Sequence, residues 1–142
     1  MSKREILAWT AFTLSLVAVA WLGWQLFGRW PDTSWFETHQ ESLALPMNVG
    51  FYTVIAIGIA TLRWRPQEPL DDERDLRITG EGARHGFIAL AILNMVAGVL
   101  VLRFPPLELH LGPQWMRYCL MWMVLVAVAV DAGVKLYRYR RG

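Results

Sequence analysis

Residues 63–86 read RWRPQEPLDDERDLRITGEGARHG. They form the long polar segment of the chain and hold 11 of its 26 formally charged residues (14 Lys or Arg plus 12 Asp or Glu). The chain around them is apolar in long blocks, over residues 6–28 and 43–62 before the segment and 86–102 and 114–137 after it. A surface helix of a soluble protein carries an apolar stripe opposite a polar face. These four runs are apolar all round, which is the pattern of helices that cross a bilayer. The first run would extend about 34 Å at ~1.5 Å per residue, enough for a hydrocarbon core of ~30 Å.

The expected fold is therefore all-α, a four-helix transmembrane bundle forming a single integral membrane domain over residues 1–142. The composition agrees, with 55% hydrophobic residues. Residues 63–85 become the connector between the second and third spans. The basic residues orient the bundle, because Lys and Arg gather on the cytoplasmic side of a membrane protein. Placing both termini and the connector in the cytoplasm puts 11 of the 14 basic residues there and leaves Arg29, Arg103 and Arg117 outside. The net charge of +2 does not point to nucleic acid, since the basic residues sit at the ends of apolar runs rather than on one face. The single cysteine, Cys119, cannot form an intramolecular disulfide.

Local signals refine this picture. Lys3, Arg4 and the small residues Ala18-Val19-Ala20 resemble a signal peptide. The apolar run nevertheless continues through Trp21 to Phe27, so an uncleaved helix is expected. Trp30 and Trp35 in the first loop suit the aromatic belt at a membrane surface. Ser42 reads as the cap of the second helix, with Pro46 in its first turn, where a missing N–H costs little. In the connector, Pro66 and Pro69 end the second helix. Asp71, Asp72, Glu73 and Asp75 then open a new one, where acids oppose the helix dipole. Glu73 and Arg77 are spaced for an i,i+4 ion pair. This helix is expected to run into the third span, with a bend near Gly80–Gly82. Pro113 restarts the chain near the beginning of the fourth helix.

The Asp72-Glu73-Arg74-Asp75 sequence resembles a motif of an uncharacterised family of small prokaryotic multi-span membrane proteins. Its members carry Asp-Glu-Arg ahead of a membrane helix. The likeness covers roughly residues 71–98 and the four-span layout. It implies architecture and a multi-pass place in the cell membrane, of the prokaryotic inner-membrane kind, and no particular activity.

Two groups of residues are candidates for function. Asp71, Asp72, Glu73, Arg74 and Asp75 form a candidate docking surface. Their carboxylates also suit a divalent cation, although Arg74 among them favours pairing within the cluster. Asn94, Asp131 and Lys135 are the candidate intramembrane polar residues. A charge inside a bilayer is costly and marks either a paired structural site or an ion pathway. Asp131 stands four residues before Lys135, so the two can pair on one helix face. Asn94 and Asn48 can hydrogen-bond between helices, and Gly82-x-x-x-Gly86 and Ala129-x-x-x-Gly133 can mark close helix crossings.

No cofactor is expected. His39, His85 and His110 lie in loops or at a boundary rather than mid-helix, where a haem would need them. Met121 and Met123 point to different helix faces and read as packing residues rather than copper ligands. No phosphate loop, nucleophile–base pair or paired-cysteine spacing is present. The function expected is non-enzymatic, a small membrane protein acting by helix association or partner docking, with a small oligomeric transporter or channel as the alternative. Its expected partners are the lipid bilayer and either a further copy of the chain or another membrane protein.

Overall fold

The computed structural model describes residues 3–29, 32, 34–63, 72–103 and 112–141. It is all-helical over these residues, with α1 Lys3–Gly28, α2 Ser34–Thr38, α3 Gln40–Arg63, α4 Asp72–Arg103 and α5 Pro113–Arg141. Four of the five, all but α2, are long and apolar enough to cross a membrane. The chain runs up α1, down α3, up α4 and down α5. Both chain ends therefore lie at one end of the bundle, here called the terminal end.

Helix α5 is the hub. Its two principal neighbours are α1 and α4, with α3 and α2 packing on it to a lesser extent and α3 also against α1. The faces used follow helical spacing. Val126, Val130, Gly133 and Tyr137 look towards α1, where they meet Phe12, Leu16 and Val19. Ala127, Asp131 and Lys135 look towards α4, where they meet Gly82 and Gly86.

The apolar core sits towards the opposite end, where Leu26, Phe36, Met47 and Tyr118 are buried together. Phe36 of the short α2 is fully buried with its ring 5.8 Å from that of Tyr118. Arg29 closes this end by resting 3.7 Å above the Trp35 ring, which also stacks on His39. Two indoles tie α5 to α1: Trp122 Nε1 donates to Val19 O at 3.0 Å, and Trp115 Nε1 to Leu26 O at 3.4 Å. The first of these needs Gly23, since a Cβ there would stand 3.0 Å from Trp122 Nε1.

Helix α3 starts earlier than its sequence suggests. It begins at Gln40, directly after α2, and His39 N donates to Trp35 O while Leu43 N donates to His39 O. The helical hydrogen-bond pattern thus carries across the junction. Ser42 is not a cap but lies inside the helix, its hydroxyl donating to His39 O at 2.9 Å. Pro46 consequently stands beyond the first turn, where its missing N–H withholds a bond from the carbonyl one turn back. Packing of Leu43 and Met47 in the core holds the helix through this defect. Helix α4 runs unbroken through Gly80 and Gly82, as one 32-residue helix from the connector to Arg103.

Candidate functional site

The structure gathers its buried charge at the crossing of α4 and α5. Asp131 and Lys135 lie one turn apart on α5, and Lys135 Nζ donates to Asp131 Oδ2 at 2.7 Å. The acid precedes the base, the better order for an i,i+4 pair given the helix dipole. The Lys135 side chain is 4% exposed and that of Asp131 18% exposed. Lys135 therefore does not extend to solvent along its stem, as a lysine near a helix end usually does. It folds back onto Asp131. A charge taken out of water is tolerated when paired, because the partner replaces part of the lost hydration.

Glycine on α4 makes room for the pair. A Cβ at Gly82 would stand 2.6 Å from Asp131 Oδ1 and 2.9 Å from both Cγ and Cε of Lys135. One turn on, a Cβ at Gly86 would stand 2.9 Å from the carbonyl oxygen of Ala127. Hydrogen in place of methyl at both positions lets the backbones close around the pair. Asp131 Oδ1, facing Gly82, is buried and has no hydrogen bond among the described residues.

A second ionic link lies one turn nearer the terminal end. Glu81 Oε2 accepts from Arg138 Nε at 2.6 Å across the helices, while Glu81 Oε1 lies 3.5 Å from Arg77 Nε. The acid is a quarter exposed and sits between one arginine from each helix. Such a half-wet link contributes little alone but fixes the rotation of α4 on α5. Arg77 thus pairs forward with Glu81 rather than back with Glu73. Both spacings are i,i+4, and Arg138 draws the acid on the α5 side into the link.

The remaining candidates are dispersed. Helix α4 begins at Asp72, which puts Asp72, Glu73 and Asp75 in its first turn. Glu73 and Arg74 are exposed; Asp71 and His110 lie outside the described residues. Asn94 is exposed and donates to Leu90 O of its own helix at 2.9 Å, and the cross-helix bond expected of it is not formed among the described residues. Asn48 does bond across helices, accepting from Arg117 Nη2 at 3.1 Å. Gly133 faces Phe12 of α1, and a Cβ at Gly58 would stand 3.9 Å from Val128 Cγ1. Among the described residues, no three His, Cys, Asp or Glu side chains are grouped to hold a metal ion.

Sequence reasoning passed over two acids. Glu81 was legible only as a neighbour of Gly82 on the small-residue stripe. Glu37, in α2, accepts the backbone N–H of Gln114 at 2.9 Å and so caps the start of α5 from 77 residues away. Gln40 supports the same junction by accepting from Gln114 Nε2 at 3.2 Å. The sequence signal for this cap is Pro113, which marks a helix start whose next N–H needs an acceptor.

No family model, curated protein or solved structure matches the chain.

Proposed function

We propose that this chain is a four-span integral membrane protein with both termini and the 63–85 connector in the cytoplasm, acting by helix association rather than catalysis. Its working surface is the outer face of α4, which takes a membrane helix of a partner protein or of a second copy. One observation carries the reading. Among the described residues helix α4 packs on α5 alone to any extent, and only 6% of its apolar window is buried, against 17–22% for the other three long helices. Phe87, Met95 and Val99 are each more than 60% exposed. A patch of this extent is untenable in water and suits lipid or another helix. The polar first turn of α4, with Glu73 and Arg74 exposed, extends the same surface beyond the bilayer.

The test uses single cysteines in a Cys119→Ala background. Met95→Cys, on the outer face of α4, should give an intermolecular cross-link in native membranes, and Ala127→Cys, on the covered face of α5, should not. Equal yields from both would remove the association surface. In the same background, an impermeant thiol reagent should label Ser34→Cys and not Gln67→Cys in intact cells. The reverse pattern would invert the topology.

A second reading, a small oligomeric transporter, is favoured by the buried Asp131 Oδ1 beside a buried lysine. Proton or cation flux in liposomes, abolished by Asp131→Asn alone, would move the assignment there.

A further inference from the structure

Between α1 and α5 runs an apolar groove with a volume of about 410 Å³, bordered by Phe12, Leu16 and Val19 on one side and Val126, Val130 and Tyr137 on the other. Gly133 forms its floor, where a Cβ would stand 3.2 Å from the Phe12 ring. From Val126 to Tyr137 the groove extends about 16 Å at ~1.5 Å per residue, close to one leaflet of a ~30 Å core. A single extended acyl chain matches that length.

Its terminal mouth is positively charged. Arg141 lies 4.7 Å from the ring centroid of Tyr137, a groove-lining residue. Arg140 lies 5.0 Å from the ring of Trp9, which packs edge-on against Phe12, another lining residue. Cation–π attraction to a ring leaves a guanidinium its N–H donors, the groups that grip a phosphate. The neighbouring Arg138 is engaged instead by Glu81. Lys3 and Arg4 begin α1 at the same end of the bundle.

We propose that this groove is a binding site for an anionic phospholipid: one acyl chain lies between Phe12 and Val130, and Arg140 and Arg141 hold the headgroup phosphate at the mouth. The site rests on the membrane reading above and adds a specific lipid to it. Apolar burial along the groove gives affinity, and the arginines give preference for negative charge.

The test is native mass spectrometry of the full chain in mild detergent, titrated with phosphatidylglycerol or phosphatidylcholine of identical chains. The wild type should retain phosphatidylglycerol preferentially. Arg140→Gln/Arg141→Gln, changes at exposed side chains that give up two ring contacts and no buried group, should lower that preference roughly 10- to 30-fold. Ala129 also lines the groove, so Ala129→Trp, which fills it, should lower retention of both lipids. Equal retention of the two lipids by the wild type, or undiminished preference in the double arginine variant, would overturn the proposal. So would a dimer that Ala129→Trp dissociates, since the groove would then belong to a second copy. Recovery of the chain in the soluble fraction without detergent would overturn the membrane reading itself. A membrane-bound chain with no lipid preference would sink this site alone.

Discussion

Gly82 of α4 lies so close to Asp131 of α5 that a methyl group on it would stand 2.6 Å from the carboxylate Oδ1. The ion pair and the helix crossing are therefore one feature. Gly82→Ala should displace Asp131 and Lys135 together, and Gly86→Ala should push against the Ala127 carbonyl, a backbone atom that cannot turn aside. Overpacking of this kind costs about 1–3 kcal/mol. Gly80→Ala and Gly98→Ala, with nothing within 4 Å of the new Cβ, should be neutral or should gain up to about 1 kcal/mol of helix propensity. Thermal unfolding of the four variants in one detergent separates these outcomes. A loss for Gly80→Ala equal to that for Gly86→Ala would refute the crossing.

The two members of the pair should respond unequally to removal. Asp131→Leu strands an ammonium whose side chain is 4% exposed, whereas Lys135→Met leaves a carboxylate that is 18% exposed. Breaking one side of a buried pair costs about 3–5 kcal/mol, and the upper part of that range is expected for Asp131→Leu. The double variant should recover most of the loss, because an apolar pair needs no counter-charge. Additive losses in the double-mutant cycle would show that the two side chains do not act as a unit.

Glu37 should matter to a helix remote from it in sequence. Glu37→Ala removes the acceptor for Gln114 N–H and the negative charge at the positive end of α5. Loss of a cap costs about 1 kcal/mol, and loss of the charge about 0.3–1 kcal/mol more. Glu37→Gln keeps an acceptor and should cost less. Gly112→Ala should mimic Glu37→Ala, since its Cβ would stand 2.6 Å from Glu37 Oε1 and displace it. Hydrogen exchange at the first turn of α5 reads all three; unchanged protection in Glu37→Ala would remove the cap.

At the α1–α5 contact, Gly23→Ala should drive Trp122 away from Val19 O. A part-buried indole N–H left without a partner costs about 1 kcal/mol or more, which offsets the ~1 kcal/mol gained by alanine in a helix. Trp122→Phe should weaken the contact in the same sense, and Gly23→Ala added to it should then cause little further loss. A full additional loss would mean that Gly23 serves some other contact.

Much of this architecture was legible because membrane-length apolar runs announce themselves without tertiary context. The four long helices, the Asp131–Lys135 pairing and the Gly82-x-x-x-Gly86 crossing all rest on spacing within one segment. What escaped rests on encounters between segments. Glu37 and Gln114 are joined only when α2 folds under α5. Glu81 is chosen over Glu73 by Arg138, which lies 57 positions further along the chain. The start of α3 was misplaced because Ser42 and Pro46 are strong local signals, yet continuity with α2 and burial of Leu43 and Met47 outweigh them. Asn94 carries the opposite lesson. Its amide found an acceptor one turn back in its own helix, which spacing alone could not distinguish from a partner across the bundle.

The position of the hub has a consequence for biogenesis. Helix α5 is the last of the described helices to be translated, yet α1 and α4 find their main packing only on it. At a synthesis rate of ~5–20 residues per second, α1 must wait seconds with only its lesser contact to α3, and α4 without its main partner. Assembly is completed only when α5 emerges and draws its predecessors together, so a ribosome stalled before Pro113 would leave α1 held by α3 and α4 without its main partner, exposed to membrane quality control.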